Sequence, residues 1–207
     1  MFVGGIDTSA TTLDWAMAEL IKNPKLMKKS QEEIRRVAGN KTNRVEEHDI
    51  NQMDYLKCII KEILRMHPPL PTLISRKPSA YSQIGGYDIP PDIEVFLNVW
   101  TIQRDPKFWD KPEEYRPERF IDNPIDFKGD QDFQFIPFGS GRRGCPGISF
   151  GVAVVELVLA NLLYAFDWKL PGGASSEELD MTEKFGITTM RKTPLHVVPI
   201  PFSANFS

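Results

Sequence analysis

Apolar residues recur at helical spacing through the first third of the chain, and this periodicity predicts three helices before any other signal is considered. The first runs from Met1 to Ile21, with a weak beginning because Gly4, Gly5, Asp7, Thr8, Ser9, Thr11 and Thr12 are poor helix formers. After Asn23-Pro24 a charged amphipathic helix extends to about Val37 with Leu26, Met27, Ile34 and Val37 on its apolar side, and Gly39-Asn40 ends it. Leu56, Ile59, Ile60 and Ile63 mark the third, from about Gln52 to Met66. His67-Pro68-Pro69 stops it, because a residue before proline is pushed out of helical backbone.

From Ser82 the period shortens. Gly85-Gly86 signals a turn, and Ile93, Val95, Leu97 and Val99 alternate as a half-buried strand does, which predicts a small sheet. Asp105 to Asp126 is rich in proline and aromatic residues and reads as an irregular, packed loop. A long apolar run from Ile148 to Phe166 predicts a last helix, Pro171 to Glu178 a surface excursion, and Leu195, Val197 and Ile200 a closing strand.

The 207 residues are 41% hydrophobic and 26% charged, which places the chain among globular proteins with one or two domains. A net charge of -3 with no basic stripe speaks against nucleic acid as a partner, since phosphate neutralisation needs clustered Lys and Arg. Cys58 and Cys145 are the two cysteines, too few for a disulfide framework and in no Cys-x-x-Cys pair, so a reducing compartment fits best. The glycan acceptor patterns Asn40-Lys41-Thr42 and Asn205-Phe206-Ser207 are read as unused, lacking a secretory context. No bilayer span is expected, because the best candidate, Gly151 to Phe166, is short and carries Glu156. The start, Met1-Phe2-Val3-Gly4-Gly5, has neither the basic nor the apolar region of a signal peptide.

The candidate chemistry centres on Cys145, in the run Phe138-Gly139-Ser140-Gly141-Arg142-Arg143-Gly144-Cys145-Pro146-Gly147 ahead of the last helix. Glycines let the backbone wrap one sulfur and aim amide hydrogens at it, while the helix start and paired arginines favour a thiolate, a good metal ligand. Two other uses suit parts of the run. A phosphate loop would need Lys-Ser/Thr where Cys145-Pro146 stand, and a buried structural cysteine would leave the glycines and arginines without purpose. The run resembles the haem-ligand loop of cytochromes P450, Phe-x-x-Gly-x-Arg-x-Cys-x-Gly, and meets every fixed position.

That resemblance implies a mainly α fold with small β-sheets, residues 1–207 being a carboxy-terminal fragment of a single P450 catalytic domain. The fragment would run from inside the oxygen-binding helix through the haem-ligand loop and last helix. Cys145 would be the axial ligand of haem (iron protoporphyrin IX), with Phe138, Gly139 and Gly147 around it and Arg76 and Arg143 on the propionates, since guanidinium binds carboxylate bidentately. Glu62, Arg65 and the Arg119 of Pro117-Glu118-Arg119-Phe120 would form a buried network locking the packed loop onto the third helix, although an i, i+3 pair taken alone is an ordinary surface ion pair. Gly4-Gly5-Ile6-Asp7-Thr8-Ser9 resembles the oxygen-activating motif, in which Thr8 would bond dioxygen and Asp7 relay protons; alone, Thr8 would bond back to the Gly4 carbonyl.

Phe2, Ile6, Leu70 to Leu73, Ile187 and Thr188 would face substrate, and an ordinary core role would suit the same residues. His67 sits at a helix end, where capping or packing is expected rather than ligation. The resemblance further implies an endoplasmic reticulum enzyme on the cytosolic face, without an anchor in this chain. It would use NADPH-cytochrome P450 reductase and O2 to oxidise a lipophilic small molecule such as a terpenoid. The competing readings are a reductase-independent haem-thiolate isomerase or lyase and a truncated, non-catalytic remnant.

Overall fold

Each long stretch of helical spacing is a helix in the computed structural model, which describes residues 2–39, 44–127 and 131–202. Both glycan acceptor patterns lie outside those residues, as does the side chain of Phe2. The helix α1 spans Phe2–Lys22, α2 Pro24–Ala38 and α4 Asp54–Met66, with a one-turn α3, Glu47–Ile50, between the last two. No hydrophobic period announces α3, because its single turn is set by a capping box in which Glu46 and Asp49 each bond the other's backbone amide. Asn23 ends α1 by donating its side-chain amide to Glu19 O at 2.9 Å, and Pro24 starts α2 at a position whose N–H would have no partner.

The sheets are small, as expected. Strands β1 (Ser82–Ile84) and β2 (Tyr87–Ile89) form a hairpin across Gly85 and Gly86, whose φ of 59° and 85° is the left-handed backbone that glycine adopts freely. The predicted strand over 93–99 does not form. A single bridge joins Val95 to Arg76, and at Val99 the chain turns into the helix α5, Val99–Ile102. Asn98 causes the switch: its side-chain oxygen accepts the Thr101 N–H at 3.0 Å, an N-cap that outweighs the alternation. Beyond the last helix, α6 (Ile148–Ala165), strand β3 (Phe166–Lys169) pairs antiparallel with β6 (Val198–Pro201), and β4 (Glu183–Lys184) with β5 (Met190–Arg191).

Helix α6 corrects a second expectation. It begins three residues before Gly151, so its 18 residues are long and apolar enough to cross a membrane by length and composition. It packs instead against α1, α2, α3 and α4, burying Val155, Leu159, Ala160 and Leu163 in one core with Trp15, Leu20, Ile34, Leu56, Ile59 and Ile63. The packed loop after α5 joins this core through Trp109 and Phe120, whose rings meet Phe135 at 6.2 and 5.4 Å between centroids.

Both ends of α4 are capped by residues remote in the chain. At its start the Glu33 carboxylate of α2 accepts the N–H groups of Tyr55 and Leu56, each at 2.9 Å. At its end the fully buried Gln103 donates to Leu64 O and Arg65 O at 2.9 and 3.0 Å while its own oxygen accepts Ile136 N–H at 3.1 Å, and Arg104 donates to Met66 O. Replacing Gln103 by Ala strands these buried partners and is expected to cost about 2–4 kcal/mol, read as a lower urea midpoint. Gln103→Glu should fare little better, since a carboxylate has no hydrogen to donate. A shift near zero in both variants would refute the capping role.

Candidate functional site

The loop that carries Cys145 is wound on itself by short backbone bonds. Gly139 N–H reaches Ile136 O at 2.9 Å, Gly144 N–H reaches Gly141 O at 2.9 Å, and Cys145 N–H reaches Phe138 O at 2.9 Å. Gly139 is buried with φ 72°, a conformation closed to most side chains. These bonds leave Cys145 exposed, with Gly147 N–H donating to its sulfur at 3.4 Å. The other cysteine, Cys58, is buried, and burial pushes its thiol up.

Arg76 and Leu73 lie against this loop. A Cβ built on Gly139 would stand 3.4 Å from Leu73 Cδ1 and 3.5 Å from Arg76 Nη2, ordinary contact distances, so the positive φ rather than lack of space calls for glycine there. Leu73 itself has φ 52°, unusual for a bulky residue and a form of strain found chiefly where neighbours dictate the backbone. Phe138, half-buried, meets Phe127 edge-on at 5.8 Å, while Arg142 and Arg143 are exposed in the turn Gly141–Arg143. Among the described residues no group of three or more His, Cys, Asp or Glu side chains could hold a metal ion. An ion on Cys145 would therefore have to bring most of its ligands with it, as iron in a porphyrin does. A lone exposed sulfur with an amide donor, beside arginines suited to carboxylates, fits haem.

Glu62, Arg65 and Arg119 come together. Glu62 and Arg65 are fully buried: Arg65 Nε and Nη2 donate to the carboxylate at 2.7 and 2.9 Å, Arg119 Nε at 2.9 Å, and Arg116 N–H at 2.8 Å. The guanidinium groups spend their remaining hydrogens on loop carbonyls, Arg65 on Gln103 O and Arg119 on Asp110 O, each at 2.9 Å. The i, i+3 pair is thus a core element rather than a surface ornament. Beside it Glu118 accepts Lys29 at 2.8 Å and Tyr55 at 2.7 Å, and although burial raises its carboxyl, these bonds hold it below the usual range.

On α1, Thr8 donates its hydroxyl hydrogen to Gly4 O at 2.7 Å, and Asp7 is exposed. A Cβ at Gly4 or Gly5 would meet nothing within 4 Å. Of the expected substrate positions, Leu70 and Leu73 are half-buried, Ile6 and Ile187 are exposed, and Thr188 is buried. A groove between residues 44–51 and the carboxy-terminal half of α6 lies elsewhere and shares no residue with the Cys145 loop. Sequence reasoning missed Gln103, Arg104 and Glu33, whose partners are remote in the chain. It also missed the stack of His67 on Trp15, although His67 caps a helix end as expected.

A family model described as Cytochrome P450 matches residues 1–198. The chain is 58% identical to a phenylacetaldehyde oxime monooxygenase of Prunus mume, over 98% of this chain and 39% of that protein. It is 58% identical to cytochrome P450 71A1 of Persea americana over 96% of this chain and 39% of the relative, and 55% identical to desmethylyatein synthase of Sinopodophyllum hexandrum over 98% and 41%. A solved zebra fish cytochrome P450 with abiraterone matches with a TM-score of 0.85 at 30% identity, over 98% of this chain and 46% of that one. The chain spans about two fifths of the length of these curated relatives.

Glu62→Ala should lower stability by about 3–5 kcal/mol in thermal or urea unfolding, because it leaves two buried guanidinium groups without their anion. Arg65→Lys should not rescue folding, as a point charge cannot span both carboxylate oxygens. The Glu118 contacts carry a pH signature. A depressed carboxyl contributes stability above its ordinary range that is lost as pH falls through the lowered value. Acid titration monitored at Tyr55 should show that loss, and Lys29→Met should move it to higher pH.

Proposed function

The chain belongs to the cytochrome P450 family, and we propose that it forms the haem-holding part of a plant-type monooxygenase that inserts one oxygen of O2 into a lipophilic small molecule. What carries the reading is Cys145: one exposed sulfur, fixed by a glycine loop and served by the Gly147 amide, with Arg76 packed alongside. Cys145 would ligate the haem iron, Arg76 and Arg143 would pair with its propionates, and Phe138, Gly139 and Gly147 would lie beside it. Haem held by a thiolate supplies the activation of dioxygen, the sulfur's electron donation favouring O–O cleavage.

The residues of this chain do the rest. The Gly147 N–H donates to the sulfur, a contact that suits a metal-bound thiolate. Thr8, its hydrogen committed to Gly4 O, offers lone pairs to a donor in the open space beside Gly4 and Gly5, and Asp7 exchanges protons with solvent. Ile6, Leu70, Leu73, Ile187 and Thr188, with Phe2 from the start of α1, would favour a lipophilic substrate through their mainly apolar side chains. Relatives named for an aromatic oxime and for desmethylyatein support a place in plant secondary metabolism. Electrons come from NADPH through a reductase that docks near the exposed Arg142, and the full-length protein resides at the endoplasmic reticulum membrane, facing the cytosol.

The test uses a full-length protein carrying this chain. It should show the thiolate-type Soret band when reduced under carbon monoxide, and Cys145→Ser should abolish that band. Haem should also shield Cys145, but not alter buried Cys58, from maleimide labelling. Thr8→Ala should keep the band while product formation drops roughly 10²-fold. A Cys145→Ser protein that retains the wild-type spectrum overturns the reading.

A further inference from the structure

Thr189 is pinned by both of its backbone groups. Its N–H donates to Pro69 O at 2.9 Å, and its carbonyl accepts the indole N–H of Trp15 from α1 at 3.0 Å. The Trp15 ring is in turn sandwiched against His67, with centroids 3.9 Å apart and planes within 5°. His67 faces carboxylates on both sides. Its Nε2 lies 2.8 Å from Glu19 Oε1 on α1, and its Nδ1, buried without a hydrogen-bond partner, points to Glu183 Oε1 of β4 at 3.8 Å. The imidazole, aided by its attraction and that of Arg104, holds the Glu183 carboxyl below the usual range.

Three elements that are remote in sequence therefore meet on one ring: α1 through Trp15 and Glu19, the end of α4 through His67, and the β4–β5 hairpin through Glu183. The hairpin's connecting residues include Ile187 and Thr188, and Thr189 closes it. We propose that His67 is a positioning residue, whose stack and paired carboxylates fix residues 187–189 against α1 and so set where a bulky ligand sits over the haem. The ligand part rests on the monooxygenase reading; the clamp itself does not.

Two measurements on the full-length protein separate these parts. Hydrogen exchange of the peptide over 185–191 reads the clamp without haem. His67→Phe keeps an aromatic ring but no N–H, and Glu183→Gln removes one anion; both should speed exchange at Thr189 about tenfold, with α6 unchanged, and His67→Gln should restore part of the protection. Soret titrations with imidazole and with clotrimazole read the positioning. Imidazole affinity should stay within about twofold and clotrimazole affinity should fall about tenfold in His67→Phe, because only the larger azole reaches beyond the iron. If His67→Phe does not fold, Glu183→Gln decides. Unchanged exchange at Thr189 overturns the clamp, and equal weakening of both azoles overturns the positioning role. Wild-type protein without any azole-induced Soret change would sink the haem reading and the positioning role with it, leaving exchange to judge the clamp.

Discussion

A carboxylate sealed from water, Glu62, is shared by two guanidinium groups and a backbone amide, and the surroundings of the cysteine loop depend on that sharing. Taking these charges out of water is costly, and apolar residues of similar volume would stabilise a core as well. What apolar residues could not do is hold loop carbonyls at fixed distances. Arg65 grips Gln103 O, Arg119 grips Asp110 O, and Gln103 passes the constraint to the amide of Ile136. Two residues beyond Ile136 begins the run that carries Cys145, so the sulfur inherits its place from α4 through a chain of hydrogen bonds.

The division between what could and could not be read from the sequence follows the range of the interactions involved. Helices α1, α2, α4 and α6 were legible because one buried face imposes its period on consecutive residues. The wrapped loop was legible because its glycines and cysteine bond to one another within a few positions. Where a short polar residue competes with that period, the reading failed: Asn98 capped a turn in the middle of an alternating run and produced α5 instead of a strand. The last helix was placed from Ile148 as found, but its apolar length was undercounted by starting the candidate span at Gly151, since glycine is tolerated inside a helix held by tertiary packing.

The least legible features join distant parts of the chain. Nothing local marks Glu33 as the cap of a helix beginning at Asp54, or Trp15 as the platform for His67. By contrast, Glu62 and Arg65 could be paired from their spacing, but only the approach of Arg119 and the loop carbonyls explains their complete burial. The exposed side chains of Ile6, Phe150, Phe185 and Ile187 belong to the same class. In a chain spanning about two fifths of its relatives' length, these apolar groups are surface here and are available to be interior in a longer protein.

The borrowed caps of α4 impose an order on biosynthesis. Its first turn is satisfied by Glu33, which leaves the ribosome earlier, whereas its last carbonyls wait for Gln103 and Arg104, which emerge only after the β1–β2 hairpin. Until then the nascent helix frays at the end that bears Arg65 and His67. The codons between the two sets of caps thus fix how long the end of α4 waits for its partners.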